Sequence, residues 1–488
     1  MNNIFDKLKN YSDSDYYAFH MPGHKRNLDL MDGTSPYRID ITEIDGFDDL
    51  HHAEGILRDA QERAARVYHA DETHFLVNGS TVGILSAILG TTEKGDSILV
   101  ARNCHKSVYH AIYLNELDPV YLYPKFDTEQ GLSTEIDAAD VQKALEEHPK
   151  IRAVMIVSPT YDGVVSDIEK IAEIVHAKGC PLIVDEAHGA HFGFDPYFPK
   201  SANIYGADLV INSLHKTLPA LTQTALLHVN GDMVKRRKVK QYLDMLQTSS
   251  PSYILMASID ACIGMLEETL ETHSDARSDY KYKNIFSEYA NRIEALRKDL
   301  KRLKYLKIIQ TDNTDRYDRS KFVISVKHAP MSSHELYEIL LHRYHLQMEM
   351  LAGTYVLAMT TVGDTQEGLD RLRDALLEID KEIDTRQGRP AAIETDLPLS
   401  GRQPALEKVW TIAEAVNRRD KIQKRSFEDS IGCISVEYAY LYPPGSPLIV
   451  PGERITKEAV EILQWYQEHD FSIEGLQSED GIEVWIDG

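Results

Sequence analysis

A chain of 488 residues exceeds what one compact core organises, and its 43% hydrophobic content can fill several. Its 77 acidic against 53 basic residues give a net charge of −24, which argues against nucleic acid and anionic membranes as partners and is compatible with cationic substrates. No apolar run is long enough to span a bilayer, the start from Met1 to Lys7 lacks an apolar signal core, and Cys104, Cys180, Cys262 and Cys433 have no metal-type spacing, so reduced thiols in the cytoplasm are expected.

Residues 1–75 read as an N-terminal arm with the segment Phe19-His20-Met21-Pro22-Gly23-His24-Lys25 and a helix near Gly55 to His69. From 76 to about 250 β and α patterns alternate, within a large domain whose exit helix carries it to 304. Strands are expected at Ser97–Val100, Ala153–Val157, Pro181–Asp185, Leu209–Asn212 and Ala225–Val229, with helices at Val82–Leu89 and Ser166–Val175. That alternation predicts an α/β large domain built on a mostly parallel sheet. From Tyr253 to about Leu303 the pattern is continuously helical and leads out of this domain. Residues 305–389 read as a small α+β domain and linker, with a strand from Lys321 to Val326, helices at His334–His342 and Glu367–Ile383, and a polar linker from Asp384 to Pro390. Residues 390–488 form a third, C-terminal α+β unit carrying Tyr442-Pro443-Pro444-Gly445-Ser446-Pro447 and Pro451-Gly452-Glu453.

Two apolar runs end in chemistry. Leu182-Ile183-Val184 leads into Asp185-Glu186-Ala187-His188, and Leu209-Val210-Ile211 leads into Ser213-Leu214-His215-Lys216. Two buried strands thereby deliver a carboxylate and an amine to one sheet edge. Pyridoxal 5'-phosphate (PLP) needs that pair: the amine of Lys216 for its aldehyde, and Asp185 to keep its pyridine nitrogen protonated. Either motif alone also occurs as an ordinary turn or a surface lysine.

Upstream, Asn78-Gly79-Ser80-Thr81 precedes an apolar helix. Glycine permits close approach of an anion, the helix start supplies N–H groups, and Ser80 and Thr81 supply hydroxyls, although an ordinary helix cap reads the same way. Ser213 and His215 can complete a phosphate site. His105, in the turn after Ser97–Val100, can stack on a flat ring or serve only the fold. Thr160, in Pro159-Thr160-Tyr161-Asp162-Gly163, can reach the cofactor's phenolic oxygen or simply shape a loop. His188, His191 and His215 are metal-ligand types, but no thiol or carboxylate is spaced with them, so no metal is expected.

Together these residues resemble the PLP-dependent ornithine/lysine/arginine decarboxylases, specifically their short bacterial form. Phe19–Lys25, Asp45-Gly46-Phe47-Asp48-Asp49-Leu50-His51, Ser213–Lys216 with Thr222-Gln223-Thr224, and Tyr442–Pro447 with Pro451–Glu453 carry the resemblance nearly end to end. It implies fold-type I, the aspartate aminotransferase-like large domain. It implies Lys216 as the Schiff-base lysine, Asp185 at the pyridine nitrogen, His105 stacked on the ring with His188 close by, and Ser80, Thr81, Ser213 and His215 at the phosphate. It further implies a dimer or larger homo-oligomer in which the segment Ser249-Ser250-Pro251-Ser252-Tyr253 reaches the neighbouring subunit's cofactor. The wing domain that precedes the core in large members has no counterpart before Phe19, so a wing-linked decamer is not expected. The stretch Glu349-Met350-Leu351-Ala352-Gly353-Thr354 departs from the more polar one of some short arginine-type members.

The activity expected is decarboxylation of a basic L-amino acid, arginine first and lysine or ornithine next, feeding polyamine synthesis. Aminotransfer or β-elimination on the same scaffold is the alternative within enzymes, and a non-catalytic PLP-binding or assembly protein the alternative outside them. A long cationic side chain needs a carboxylate in the pocket. Glu437, on an expected strand from Ile434 to Leu441, is the first candidate, with Asp48 and Asp49 and, across an interface, Tyr253 behind it; a surface strand acid is the plain alternative for Glu437.

Overall fold

A computed structural model describes residues 13–25, 27, 36–271, 281–309, 316–385, 403–418, 420–442 and 445–486. Met1 to Lys7, most of the polar linker, and the Pro443-Pro444 pair lie outside them, as does the middle of the long helical stretch after Tyr253.

The centre is a seven-stranded sheet. Its strands are β1 (Glu72–Leu76), β2 (Ser97–Ala101), β3 (Asp118–Leu122), β4 (Ile151–Val157), β5 (Leu182–Asp185), β6 (Leu209–Asn212) and β7 (Ala225–Val229), in the order β3-β2-β4-β5-β6-β7-β1. Strands β2 to β6 pair in parallel, and β7 runs antiparallel to both of its neighbours. The inner strands are unbroken apolar runs because both of their faces are covered; Ile183, Val184, Leu209, Val210 and Ile211 are fully buried. The first sheet strand therefore lies at 72–76, ahead of the expected boundary at 76.

Helix α1 (Ile56–Val67) buries Leu57, Ala60, Ala64 and Val67 at helical spacing. Helix α2 (Gly79–Thr91) is apolar nearly all round and is buried accordingly. Its first turn takes in Ser80 and Thr81, so the hydroxyls belong to the helix start rather than to a preceding loop. Helix α3 (Lys106–Leu114) follows β2, and α4 (Ile168–Ala177) follows β4. Helices at Tyr253–Glu271 and Ile285–Leu300 lead to a four-stranded antiparallel sheet of Lys307–Ile308, Lys321–Ser325, Tyr355–Met359 and Met350–Ala352, flanked by helices at Ser333–His342 and Gln366–Thr385. The arm joins this smaller unit: Tyr17–Phe19 pairs in parallel with Leu346–Met348.

The C-terminal unit has two three-stranded sheets and a helix at Lys457–Glu468 around its own apolar cluster. The strand expected from Ile434 to Leu441 is instead two short strands, Ile434–Ser435 and Ala439–Tyr442, in different sheets. Glu437 lies in the break. The four cysteines are free, and no helix among the described residues is long and apolar enough to cross a membrane.

Candidate active site

Parallel strands send their carboxyl ends to one edge, where open α/β sheets bind ligands. Here β1 ends before the Gly79 turn, β2 before His105, β4 before Thr160, β5 at Asp185 and β6 before Ser213. The register pairs Asp185 with Ile211, so the β5 and β6 loops leave the sheet side by side. Between this edge, the smaller domain and the C-terminal unit lies a cavity of about 930 Å³. Gly79, Ser80, Thr81, His105, Thr160, Asp185, His188, Ser213, His215 and Lys216 all line it, as expected from the sequence.

Lys216 Nζ lies 3.0 Å from His188 Nε2. Burial draws the Lys216 amine below its ordinary range, with Asp185 and Glu349 pulling the other way. Burial first, and then Lys216, holds the His188 imidazole well below its usual pKa, so it is neutral and its Nε2 accepts from the amine. The His188 ring also rests against Tyr161, centroids 4.4 Å apart. Burial raises the Asp185 carboxyl, while Lys216 and the Ala187 N–H, which donates to Oδ1 at 3.1 Å, oppose the rise. A buried carboxylate of this kind is stabilised by any cationic group placed against it.

His105 is the N-terminal cap of α3: its Nδ1 accepts from the Ser107 N–H at 3.3 Å and lies 2.9 Å from Ser107 Oγ. The ring is accessible because it faces the cavity, yet surrounding protein and then the Lys216 charge bring its pKa down to about 4. It is a neutral flat ring fixed in orientation by a helix cap, so the structural and functional readings of His105 coexist.

At the other end, Ser80 Oγ lies 2.5 Å from Ser213 Oγ. Gly79 has φ +72°, in the left-handed region, and open space where a side chain would start. The first N–H groups of α2 have no partner within the helix. His215 Nδ1 lies 2.8 Å from the Thr224 carbonyl oxygen, which turns the ring beside this cradle. The group implied by the motifs is PLP, and the residues fit it: an anion cradle at α2, a flat neutral ring at His105, a buried acid at Asp185 and an amine at Lys216.

The comparisons with known proteins agree. Residues 2–339 match the family described as Orn/Lys/Arg decarboxylase, major domain, and residues 402–484 match Orn/Lys/Arg decarboxylase, C-terminal domain. The chain belongs to the Orn/Lys/Arg decarboxylase family. Its activity class is therefore decarboxylation of a basic amino acid by the PLP-dependent chemistry of that family. It is 36% identical to the Bacillus subtilis protein YaaO, covering 94% of this chain and 93% of that one. It is 31% identical to a B. subtilis arginine decarboxylase, covering 94% and 92%. In fold it is similar to the Francisella novicida lysine decarboxylase LdcF, with a TM-score of 0.78 at 18% identity over 98% of this chain and 80% of that one.

Within this family member, six expected residues are not brought to the cavity. Asn78 is the N-cap of α2, but its Oδ1 accepts from the Thr248 N–H at 3.2 Å, away from the cradle. Glu437 is a correction: its two carboxylate oxygens accept the Gln477 and Glu483 N–H groups at 2.9 and 2.7 Å, so it organises its own domain. Asp48 is another. Burial pushes its carboxyl up, but the N–H groups of Glu54, Asp49, Gly55 and Leu57 bring it down to about 2, and it serves the entry to α1. Asp49 caps the short turn Leu50–His52. Tyr253 donates its hydroxyl to the Asp48 carbonyl at 2.6 Å, and exposed Ser249 lies beside Thr248; both stand outside this subunit's cavity. His191 is turned to Asp318, Nε2 to Oδ1 3.1 Å, so the three histidines considered as metal ligands face different partners.

Sequence reasoning missed Asp162 and Glu349. Tyr355, 193 positions away, donates its hydroxyl to Asp162 Oδ1 at 2.5 Å, and both line the cavity. Glu349 Oε2 accepts the Met21 N–H at 2.8 Å and Oε1 accepts the Tyr161 hydroxyl, so it ties the arm to the ring that supports His188. The acidic letters were visible in the loop after β4 and in the departing stretch at 349–354, but their partners come from distant segments.

Proposed function

We propose that this chain decarboxylates arginine in preference to lysine or ornithine, using PLP held at the α2 end of the cavity. The observation that carries the reading is the convergence of Lys216, Asp185 and His188 on one cavity, with an anion cradle at its other side. The substrate order follows the arginine decarboxylase relatives, which cover nearly the whole chain.

The bound cofactor supplies an electron sink for the bond to the departing carboxylate. Ser80, Thr81, Ser213, His215 and the α2 N–H groups hold its phosphate. His105 supports one face of the ring. Asp185 holds a proton on the pyridine nitrogen, which its burial makes energetically important. Neutral His188 accepts from the Lys216 amine and keeps it directed into the cavity. Lys216 Nζ faces the cavity, and in its ammonium form it can return a proton to the substrate α-carbon. Thr160 faces the same cavity; its Oγ1 accepts from the Val164 N–H at 3.1 Å, leaving its own proton to donate.

We also propose a cytoplasmic homodimer or larger assembly with shared sites, in which exposed Ser249 and the Tyr253 turn meet the neighbouring subunit's cofactor, and a product that feeds polyamine synthesis. Incubating the PLP-loaded protein with arginine, lysine and ornithine, and detecting agmatine, cadaverine and putrescine, tests the reading. Agmatine formed fastest supports it. Keto-acid formation without release of labelled carboxyl carbon replaces it with aminotransfer.

A further inference from the structure

A cavity that takes a basic amino acid has to meet two charges besides the cofactor's: the substrate carboxylate and the distal cation. Among the described residues lining this cavity, the acids are Asp185 and Asp162. Asp185 is assigned to the ring nitrogen. Glu349 stands behind Tyr161 with both oxygens engaged, and Glu437, Asp48 and Asp49 are satisfied elsewhere.

Asp162 is placed differently from all of these. It sits in the loop after β4, where Thr160 N–H donates to the Val164 carbonyl at 2.8 Å and Gly163 N–H to the Thr160 carbonyl at 3.0 Å. Gly163 at φ +99° turns the chain there, and added bulk would press on Lys321 and Asp318. This tight turn fixes the carboxyl at the seam between the large and small domains. Tyr355 donates to Oδ1 at 2.5 Å, and the carboxyl lines the cavity. Phe126 and Leu132 supply apolar wall to the same cavity, suited to the methylenes of a long side chain. The residue is buried, and burial lifts its carboxyl to about 6 against the pull of Tyr355 and Lys321. A buried carboxylate is expensive alone and becomes favourable when a cation reaches it.

We infer that Asp162, oriented by Tyr355, is the residue that pairs with the distal ammonium or guanidinium of the substrate. This rests on the reading of the chain as a basic amino-acid decarboxylase. With Oδ1 engaged by Tyr355, the carboxylate suits one hydrogen bond to an ammonium, or one arm of a guanidinium, rather than a two-pronged clamp. Discrimination among arginine, lysine and ornithine then falls on side-chain length, and discrimination against neutral side chains falls on Asp162.

Cadaverine and n-pentylamine separate these contributions, since they differ only in the distal ammonium. Their binding to the PLP-loaded full chain is measured by calorimetry, with CO2 release from the three amino acids followed in parallel. Wild-type protein should bind cadaverine more tightly, and Asp162→Asn should reduce that preference roughly 30-fold or more with cofactor absorbance unchanged. Asp162→Glu, which keeps the charge, should retain part of it. Preference unchanged in Asp162→Asn overturns the assignment. So does equal affinity of wild-type protein for the two amines, a measurement that needs no variant to fold. Loss of preference in Asp162→Asn, when wild type releases no CO2, supports Asp162 as the cation site and overturns the decarboxylase reading instead.

Discussion

Arg102 Nη2 meets Glu453 Oε2 at 2.8 Å with both side chains fully buried, joining the turn after β2 to the C-terminal unit. Arg102 also donates to the Leu448 carbonyl at 3.0 Å and lies 4.8 Å from the Tyr121 ring centre. Val450 N–H donates to the same Glu453 oxygen at 2.9 Å. Leu448 lines the cavity as His105 does, so this buried pair seats the C-terminal wall of the active site.

Glu453→Gln should therefore lower the unfolding free energy by roughly 3–5 kcal/mol, because it strands a buried guanidinium. The double variant Arg102→Met/Glu453→Met should cost less than the single one. All three tryptophans, Trp410, Trp465 and Trp485, lie in the C-terminal unit, so their fluorescence in urea reports its release directly. A single variant as stable as wild type removes the pair from this role.

Lys216→Ala should fold normally and lose covalent cofactor attachment. Borohydride reduction of wild-type protein with added PLP should place the pyridoxyl group on the peptide carrying Lys216, detected by mass spectrometry. Its attachment to Lys25, Lys321 or Lys327 instead would dismantle the site.

Asp185→Asn should keep the phosphate cradle and bind PLP, yet lose turnover by roughly 100-fold or more, the scale on which a lost electrostatic partner reduces catalysis. Binding is read by absorbance and turnover by amine product. Near-normal turnover with full loading would show that the ring nitrogen has another partner.

Much of this site was legible because parallel strands are apolar runs with polar residues at their carboxyl ends. The segments before Asp185 and Ser213 had that form, and Leu209–Asn212 lies where it was read. Glu437 was misplaced because alternation across Ile434–Leu441 looks like one strand; only the structure shows the break at 436–438 and the backbone donors from Gln477 and Glu483. Asp162 was passed over because a loop acid shows no periodicity and its partner Tyr355 belongs to another domain. Asn78 was grouped with its neighbours in a motif, but a helix start divides Asn78 from the residues whose groups face the cavity.

Subunit sharing is testable through the exposed residue of its segment. Ser249→Glu leaves the fold of one subunit undisturbed and sets a negative charge where a neighbour's phosphate is expected. Activity should fall in the homo-oligomer and return when this variant is mixed and refolded with Lys216→Ala, since hybrids contain one intact site. No recovery on mixing, with oligomers confirmed by light scattering, would place the segment outside the neighbour's site.

The pH dependence of substrate use should carry the Asp162 signature. Burial raises its carboxyl to about 6, with Tyr355 and then Lys321 limiting the rise. Below that pH the free protein presents a neutral acid, so kcat/KM for arginine should fall as pH drops through about 6. A bound cation beside the carboxylate favours its ionised form and moves its titration lower. Because kcat reports the complex and kcat/KM the free protein, the acidic limb of kcat should lie at lower pH than that of kcat/KM. In Asp162→Asn the limb near 6 should vanish from kcat/KM while any limb from the substrate or cofactor remains. Coincident limbs in the wild type, or a limb near 6 that survives the substitution, would assign the titration to another group.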